Sequence, residues 1–376
     1  MTPLRVGISG ASRGAGFIFA IRSTVGRAEL HAVHDPIAEN RERFAAEYDV
    51  PHRAESFEEL VDRCDIVIVA SPQQYHAPQS AYALQHGRHV LSEVPAVVSA
   101  EQANTLLAAA RQSGAVYMLS ENYCYTRENL IVAGMSKAHV FGDLYYGESE
   151  YVHEMKPYHT DLAGNPTWRY HWQVGRNAHT YPTHSLGPLL DWFDDRITAI
   201  SCVGTGRHTD PEHAIDDAVL LTARTQKGAL LKTRLDLLSN RPGLLDFYAV
   251  QGTGGAYEAA RAKGQSPRVY LEGTTKHDTW DSLDTYAADF LPKRYAVPPE
   301  GVGHWGADAW PFLDFLEAVE KASTPPLDLY RALEMSLPTI ASEQSMAQNG
   351  AWIHVPDPRT MTAGIGINPG RNAPLD

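Results

Sequence analysis

The stretch that most constrains this chain is LRVGISGASRGAG, residues 4–16. Leu4 to Ser9 is a short apolar run ended by Gly10, and from Gly16 onward Phe17, Ile18, Ala20 and Ile21 set a helical pattern. Strand, glycine loop, helix is the order in which a dinucleotide is held. The helix N-terminus offers unpaired N–H groups and the positive end of its dipole to a pyrophosphate, and glycines let the backbone come close. The same loop also occurs as a tight connection without a ligand. What moves the reading is Glu29 to Val33, a second strand running into HDP. It sets Asp35 about 20 residues beyond the loop, where an acid binds the adenosine ribose hydroxyls. Asp35 selects NAD, because a carboxylate there repels the additional phosphate of NADP. Arg13 is the loop residue able to pair with that phosphate, to bridge the pyrophosphate, or to face solvent. The cofactor set thus begins with Gly10, Ser12, Arg13, Gly14, Gly16 and Asp35.

DIVIVASP (65–72) and RHVLSEVP (88–95) read as further buried strands with helices between and after them, which predicts a doubly wound parallel sheet of the Rossmann type. Ligands of such sheets lie at the carboxyl ends of the strands, so Ser71, Pro72, Gln73, His76, Glu93 and Pro95 are expected to face the cofactor. From about Tyr123 the composition turns aromatic and His-rich. Strands such as AVLLTAR, ALLKTRLDLL and LLDFYAVQGTGGAYEA then follow one another without helices between them. That pattern predicts an α+β second domain with an open, mainly antiparallel sheet. The expected division of this α/β chain is a Rossmann domain over 1–122, a substrate and oligomerisation domain over 123–355, and an irregular arm over 356–376, mobile or wrapped on a neighbouring subunit.

Among 376 residues, 32 Lys and Arg stand against 45 Asp and Glu, a formal charge of −13. This opposes binding to a polyanion, so no nucleic-acid partner is expected. Cys64, Cys124 and Cys202 lie far apart with no paired spacing, which argues against a disulfide framework. With no apolar leader pattern before Leu4 and no window of membrane-span length, the expectation is a cytoplasmic protein acting on an imported small molecule.

A short-chain dehydrogenase would show an N-N-A-G strand end and a Tyr-x-x-x-Lys pair; neither stands in the needed place. ASPQQYHAP, then SEVP, then SENYCYTREN instead resembles the glucose-fructose oxidoreductase, inositol dehydrogenase and rhizopine-catabolism superfamily (Gfo/Idh/MocA), whose stretches read A-x-P-x-x-x-H, E-K-P and a contact to the nicotinamide after the next strand, here Asn122. In dehydrogenases of that superfamily the E-K-P lysine and an aspartate four residues before a histidine handle the reacting hydroxyl. Here those positions are Val94 and Thr180, four before His184. A valine donates no hydrogen bond, and a threonine hydroxyl is a poor base.

The segments YVHEM, WRYHWQVGRNAHTYPTHSLGP and GHWGADAWPFLDFLEAVE are similar to the Y-x-H, W-R, Y-P-T-H-G-L-G-P and G-H-G-G-x-D stretches of the NAD-dependent α-N-acetylgalactosaminidases, glycosidases on this fold. The NAD-dependent sulfoquinovosidases share the fold as well. The resemblance implies that Arg169, Tyr181 and His184 surround the reacting sugar carbon and that Tyr151 is the candidate proton acceptor, with His304 on the substrate side. It implies a held and recycled NAD, transient oxidation at C3, elimination across C1–C2, water addition and re-reduction, and a homodimer or homotetramer. Read by themselves, Tyr151 and Tyr181 are equally core aromatics and His184 a hydrogen-bonded loop histidine. Arg169, His171, Arg176 and His179 concentrate positive charge and would suit an anionic sugar such as a sulfoquinovoside, or form surface ion pairs. The histidine spacing fits no metal-ligand pattern, so no metal is expected. A sugar dehydrogenase that releases NADH, and a non-catalytic NAD or sugar sensor, are the competing readings.

Overall fold

The computed structural model describes residues 2–161, 163–172, 176–210, 215–297, 299 and 302–361. It divides into two compact units. The first gathers residues up to Thr126, Val297–Ser336 and a stretch from Pro358; the second gathers Arg127–Ala296 and Leu337–Asp357.

The first unit is built on a six-stranded sheet of β1 (Leu4–Ser9), β2 (Ala28–His34), β3 (His52–Ala54), β4 (Ile66–Val69), β5 (His89–Ser92) and β6 (Tyr117–Leu119). Its strand order is β3-β2-β1-β4-β5-β6 and every pairing is parallel. The central strands are apolar along their length because helices cover both faces; Val6, Ile8, Val67, Ile68, Val90 and Leu91 are all fully buried. Strand order reverses between β1 and β4, and the crevice of a doubly wound sheet opens at such a reversal. This is the architecture the sequence predicted for the first half.

The second unit carries a nine-stranded sheet. Its strands are β7 (Leu144–Val152), β8 (Ile197–Gly204), β9 (Ala218–Thr225), β10 (Leu230–Asp236), β11 (Leu244–Gly252), β12 (Gly255–Glu258), β13 (Arg268–Leu271), β14 (Asp281–Ser282) and β15 (Ile353–His354). Their order is β14-β13-β12-β11-β7-β10-β9-β8-β15, antiparallel throughout except for the β7–β10 pair. Alternation sorts the two faces. Gly147, Ser149 and Tyr151 of β7 point inward with Thr233, Leu235 and Leu221, where the helix Pro182–Phe193 packs through Leu186, Leu189 and Leu190. On the opposite face Glu148 and Glu150 pair with Lys232 at 2.7 Å and Arg234 at 3.4 Å on β10.

All three cysteines are buried free thiols, and burial pushes those of Cys64 and Cys202 up to about 12. Of the C-terminal arm, Pro356–Met361 is described, and Arg111 donates to the carbonyls of Pro358, Arg359 and Met361 there. The expectation for the rest of the arm falls outside the described residues. Among the described residues no helix is long and apolar enough to cross a membrane.

One contact fixes how the first unit closes at its strand-order reversal. Gly10 has φ 97° and ψ 93°, and a Cβ on it would stand 2.4 Å from the carbonyl oxygen of Ala70, just past β4. A backbone atom cannot swing aside as a side chain can. Gly10→Ala is expected to lower stability by about 3 kcal/mol through strain and displacement of β1 from β4; urea denaturation of the two proteins checks this.

Candidate active site

The glycine loop of the first unit is shaped by close approach. Gly14 lies where a Cβ would meet Ile8 Cγ2 at 2.3 Å, so the short helix Ala11–Gly14 rests directly on β1. Asp35, just past β2, is buried; its carboxylate accepts from the backbone N–H of Ala11 and of Ile37, each at 3.0 Å. The acid expected to bind a ribose thus also braces the loop, and two further acceptor lone pairs remain to it. Ser12 stands exposed on the same turn, while Gly16 packs under the Arg13 guanidinium.

At the neighbouring strand ends, the Ser71 hydroxyl donates to Gln79 Oε1 at 2.8 Å and Pro72 is half-buried. Gln73 Nε2 and Asn122 Oδ1 are buried without a hydrogen-bond partner among the described residues. Buried polar atoms of this kind call for a ligand or water. With the glycine cradle and Asp35, they are the observation that fits this end of the sheet to NAD.

His76 departs from expectation. The strand-end pattern predicts that it faces the cofactor, but its ring is buried and clamps two strand ends, Nδ1 lying 2.9 Å from the Pro95 carbonyl and Nε2 2.7 Å from that of Ser71. Both nitrogens are used inside the fold, and burial lowers its pKa despite the two carbonyls.

Arg13 departs as well. Its guanidinium turns inward, donating to Glu93 Oε1 at 2.6 Å and to both oxygens of Asp308 at 3.2 and 3.4 Å. The side chain stays 35% exposed, but the donors that meet these two carboxylates are already taken. Asp308 also accepts from Asn122 Nδ2 at 2.7 Å and lies 2.8 Å from His304 Nδ1. Burial opposes its charge, but the His304 hydrogen bond and the Arg13 guanidinium outweigh it and hold the carboxyl well below the usual range. Burial likewise works against the Arg13 charge, and Glu93 and Asp308 reverse that and raise its pKa. Sequence reasoning missed Asp308. Its signal was the closing D of the G-H-G-G-x-D resemblance.

In the second unit the three candidate catalytic side chains come together. Tyr151 lies at the end of β7; Tyr181 caps the helix Pro182–Phe193 and His184 follows three residues later, on the same helix face. The Tyr151 and Tyr181 rings stack at 5.4 Å, and His184 lies 5.2 and 5.3 Å from them. The Tyr248 hydroxyl fixes the start of that helix by donating to the His184 carbonyl at 2.5 Å. Tyr151 Oη is 3.1 Å from Nδ1 of His153, whose ring lies 5.7 Å from that of Tyr158. Arg169 stands over the rings of Trp168 at 4.5 Å and Tyr158 at 5.9 Å. A continuous path of rings thus leads from the guanidinium to His184. The partners the sequence did not assign, His153 and Tyr158, were half visible in the Y-x-H spacing, since residues two apart on a strand share a face.

The remaining residues of the basic set named from the sequence are dispersed. Arg176 is paired with Glu343 at 2.6 Å. His179 is fully buried, its Nε2 3.1 Å from Thr233 Oγ1 and its N–H donating to Ser342 Oγ, and burial lowers its pKa to about 4. It is a core histidine, neutral at physiological pH. His171 is exposed, 5.4 Å from the Tyr170 ring. Thr180 and Val94, the two departures from the dehydrogenase pattern, are both buried. Among the described residues no group of three or more His, Cys, Asp or Glu is placed to hold a metal ion.

Comparison with known proteins matches residues 4–121 to the family described as "Oxidoreductase family, NAD-binding Rossmann fold" and residues 125–209 and 206–363 to "Glycosyl hydrolase 109, C-terminal domain". The chain is similar to an alpha-N-acetylgalactosaminidase of Shewanella oneidensis, 27% identical over 334 residues covering 80% of this chain and 71% of that protein. A glycosyl hydrolase family 109 protein of Streptomyces filamentosus is 27% identical over 390 residues, 94% of this chain and 77% of its own. Among solved structures, a levoglucosan dehydrogenase in complex with NADH and levoglucosan shares the fold at a TM-score of 0.79 and 16% identity, over 95% of this chain and all (100%) of its own. An NAD binding oxidoreductase from Klebsiella pneumoniae does so at 0.77 and 20%, over 94% and 99%.

Asp308 and His179 both have a pKa lowered by the fold, so each makes stability rise with pH, over a different window. Asp308→Asn is expected to cost about 3 kcal/mol near neutral pH, since it leaves Arg13 short of a buried partner. The carboxyl is depressed in the folded state, so its contribution is present in full above the unfolded value of about 3.9 and is lost progressively as pH falls toward the depressed folded value; in urea titrations the gap between wild type and variant should begin to close below about pH 4. His179 binds a proton more readily unfolded than folded, so stability should rise with pH between 4 and about 6.5, by about 3 kcal/mol from this residue. In His179→Gln that portion of the slope should be missing from the same measurement.

Proposed function

The chain belongs to glycosyl hydrolase family 109, an NAD-dependent glycosidase family built on the Gfo/Idh/MocA Rossmann domain, and from that premise we propose a redox-neutral glycosidase that works by elimination and hydration. The observation that carries the reading is the ring cluster of Tyr151, Tyr181, His184 and His153. These are phenols and imidazoles, whereas direct displacement at a glycosidic carbon uses two carboxyl groups.

Bound NAD supplies a reversible hydride acceptor for C3 of the sugar, so that oxidation there is undone at the end of each turnover. With C3 a ketone, the neighbouring C2–H is acidic. Tyr151 takes that proton, the C1 leaving group departs, and water adds to the resulting double bond. A phenol has a reference pKa of about 10, and His153, in hydrogen-bond contact with its oxygen, gives the proton somewhere to go. Arg169, standing over the Tyr158 ring, brings a positive charge to the edge of the cluster. His184 suits exchange with the C3 hydroxyl. In the first unit, Asp35 would hold the ribose hydroxyls, the glycine loop from Gly10 to Gly16 the pyrophosphate, and Gln73 and Asn122 would supply hydrogen-bond partners toward the nicotinamide.

The glycone follows from which cations are at hand. With Arg176 paired and His179 buried, Arg169 and His171 are what remains of the basic set for an anionic substituent. This supports neutral glycosides, N-acetylgalactosaminides first, ahead of a sulfoquinovoside. A panel of neutral and anionic nitrophenyl glycosides assayed with NAD should release nitrophenol without net NADH. Stoichiometric NADH would indicate a sugar dehydrogenase, and NAD binding without turnover a sensor.

The base is tested by isotope. Hydrolysis in D₂O should leave deuterium at C2 of the released sugar, and Tyr151→Phe should slow the appearance of that label by roughly 10² to 10⁴ with NAD still bound. Product retaining hydrogen at C2 would remove the elimination route; exchange surviving in Tyr151→Phe would move the base to Tyr181 or His184.

A further inference from the structure

Trp305 is a large side chain on a backbone that disfavours it. His304, Trp305 and Gly306 have φ of 47°, 56° and 91°, three consecutive residues in the left-handed region. Only the last is a glycine, whereas the G-H-G-G-x-D pattern this stretch resembles has glycine at the position of Trp305 too. A bulky residue is uncommon there and persists where its surroundings over-determine the turn. Here they do. Gly306 N–H donates to the Gly303 carbonyl at 3.0 Å, and His304 Nδ1 is held 2.8 Å from Asp308, the carboxylate that also holds Arg13 and Asn122. Gly303 is itself required beside it, since a Cβ there would stand 2.6 Å from Asp308 Oδ2.

Nothing among the described residues accounts for the indole. It is 70% exposed, with no hydrogen-bond, ion-pair or ring partner among the described residues. Exposure rises outward along this one element of the first unit, from the Asp308 side chain at 4% through His304 at 40% to Trp305. The buried end of the gradient is anchored on Asn122 and Arg13, residues of the dinucleotide end of the sheet; the exposed end is an apolar plate with a polar edge. Such a plate suits the C–H face of a pyranose ring or an aromatic group.

We propose that Trp305 is a stacking platform for the leaving group of the glycoside, binding a second sugar ring or an aromatic aglycone. The inference rests on the glycosidase reading for the identity of its ligand. A glycoside puts its reacting carbon at the buried end of a site and its leaving group toward solvent, which is the order of this gradient. The departure from glycine then sets preference among leaving groups and leaves the chemistry at C1 to C3 to other residues.

The test uses the holoenzyme, Trp305→Gly, which suits the left-handed turn and so keeps the fold, and Trp305→Phe, which keeps an aromatic face. Each is assayed with methyl, p-nitrophenyl and disaccharide glycosides of one glycone. A non-cleavable C-glycoside with a benzyl group, titrated by indole fluorescence and calorimetry, reads binding without turnover. Trp305→Gly should raise KM on the order of tenfold for the nitrophenyl and disaccharide substrates and less than about threefold for the methyl glycoside, with kcat changed less than KM. It should weaken the C-glycoside by the same factor, and Trp305→Phe should recover most of the loss. A KM change equal across the three leaving groups, no change at all, or a lower sedimentation mass in Trp305→Gly, which would make the indole a contact between copies of the chain, overturns the proposal. If no glycoside is turned over by any of the three proteins, the glycosidase reading falls, and the C-glycoside titration still decides the role of Trp305.

Discussion

A buried carboxylate is the constraint on which the cofactor end of the first unit depends. Asp308 receives the guanidinium of Arg13 from the glycine loop, the amide of Asn122 from beyond β6 and the imidazole of His304 from its own turn. Removing two or three charges from water is costly, and the arrangement holds because each charge meets an opposite one with hydrogen bonds to spare. The result is local order: the loop cannot shift without unpairing Arg13, and the turn bearing Trp305 cannot unwind without unpairing His304. Glu93 completes the set. At the position after it a dehydrogenase of the superfamily would carry lysine and this chain carries Val94, yet a cation stands beside Glu93 all the same, supplied by Arg13 from the loop.

The second unit solves a different problem, which is to gather proton-handling groups without gathering charge. Its sheet places Tyr151 on the helix-covered face, and the helix beginning at Pro182 brings Tyr181 and His184 against it. The stacked rings set phenols and an imidazole side by side, and the guanidinium of Arg169 is reached through an aromatic ring and not through a carboxylate among the described residues. Arginine used in this way keeps its field, whereas Arg176, paired with Glu343, has spent its charge on structure.

The two units offer different physical resources. A parallel sheet with its strand-order reversal offers backbone N–H groups and a close-packed glycine turn to a dinucleotide. A mixed sheet with one covered face offers side chains at two-residue spacing for chemistry.

The sequence by itself determined the elements and much of the candidate site. Apolar runs ended by glycine in β1 and by polar residues and proline in β4 and β5 marked these strands, because burial on both faces leaves a signature that needs no knowledge of neighbours. The spacing from loop to Asp35, and the similarity of YPTHSLGP to a known pattern, likewise pointed to residues that the structure sets at strand ends or in one cluster. What only the tertiary structure decided is where side chains turn and what they meet. Arg13 and Asp308 are 295 residues apart, and nothing near Arg13 in the chain says that its charge is already taken. Nor does local pattern tell a buried histidine from a binding one: His76 and His179 sit in polar, loop-like stretches, but long-range packing closes over both, and desolvation lowers the pKa of each. Periodicity records which face of an element is apolar, whereas the partner of a charge is set by the packing of segments distant in sequence.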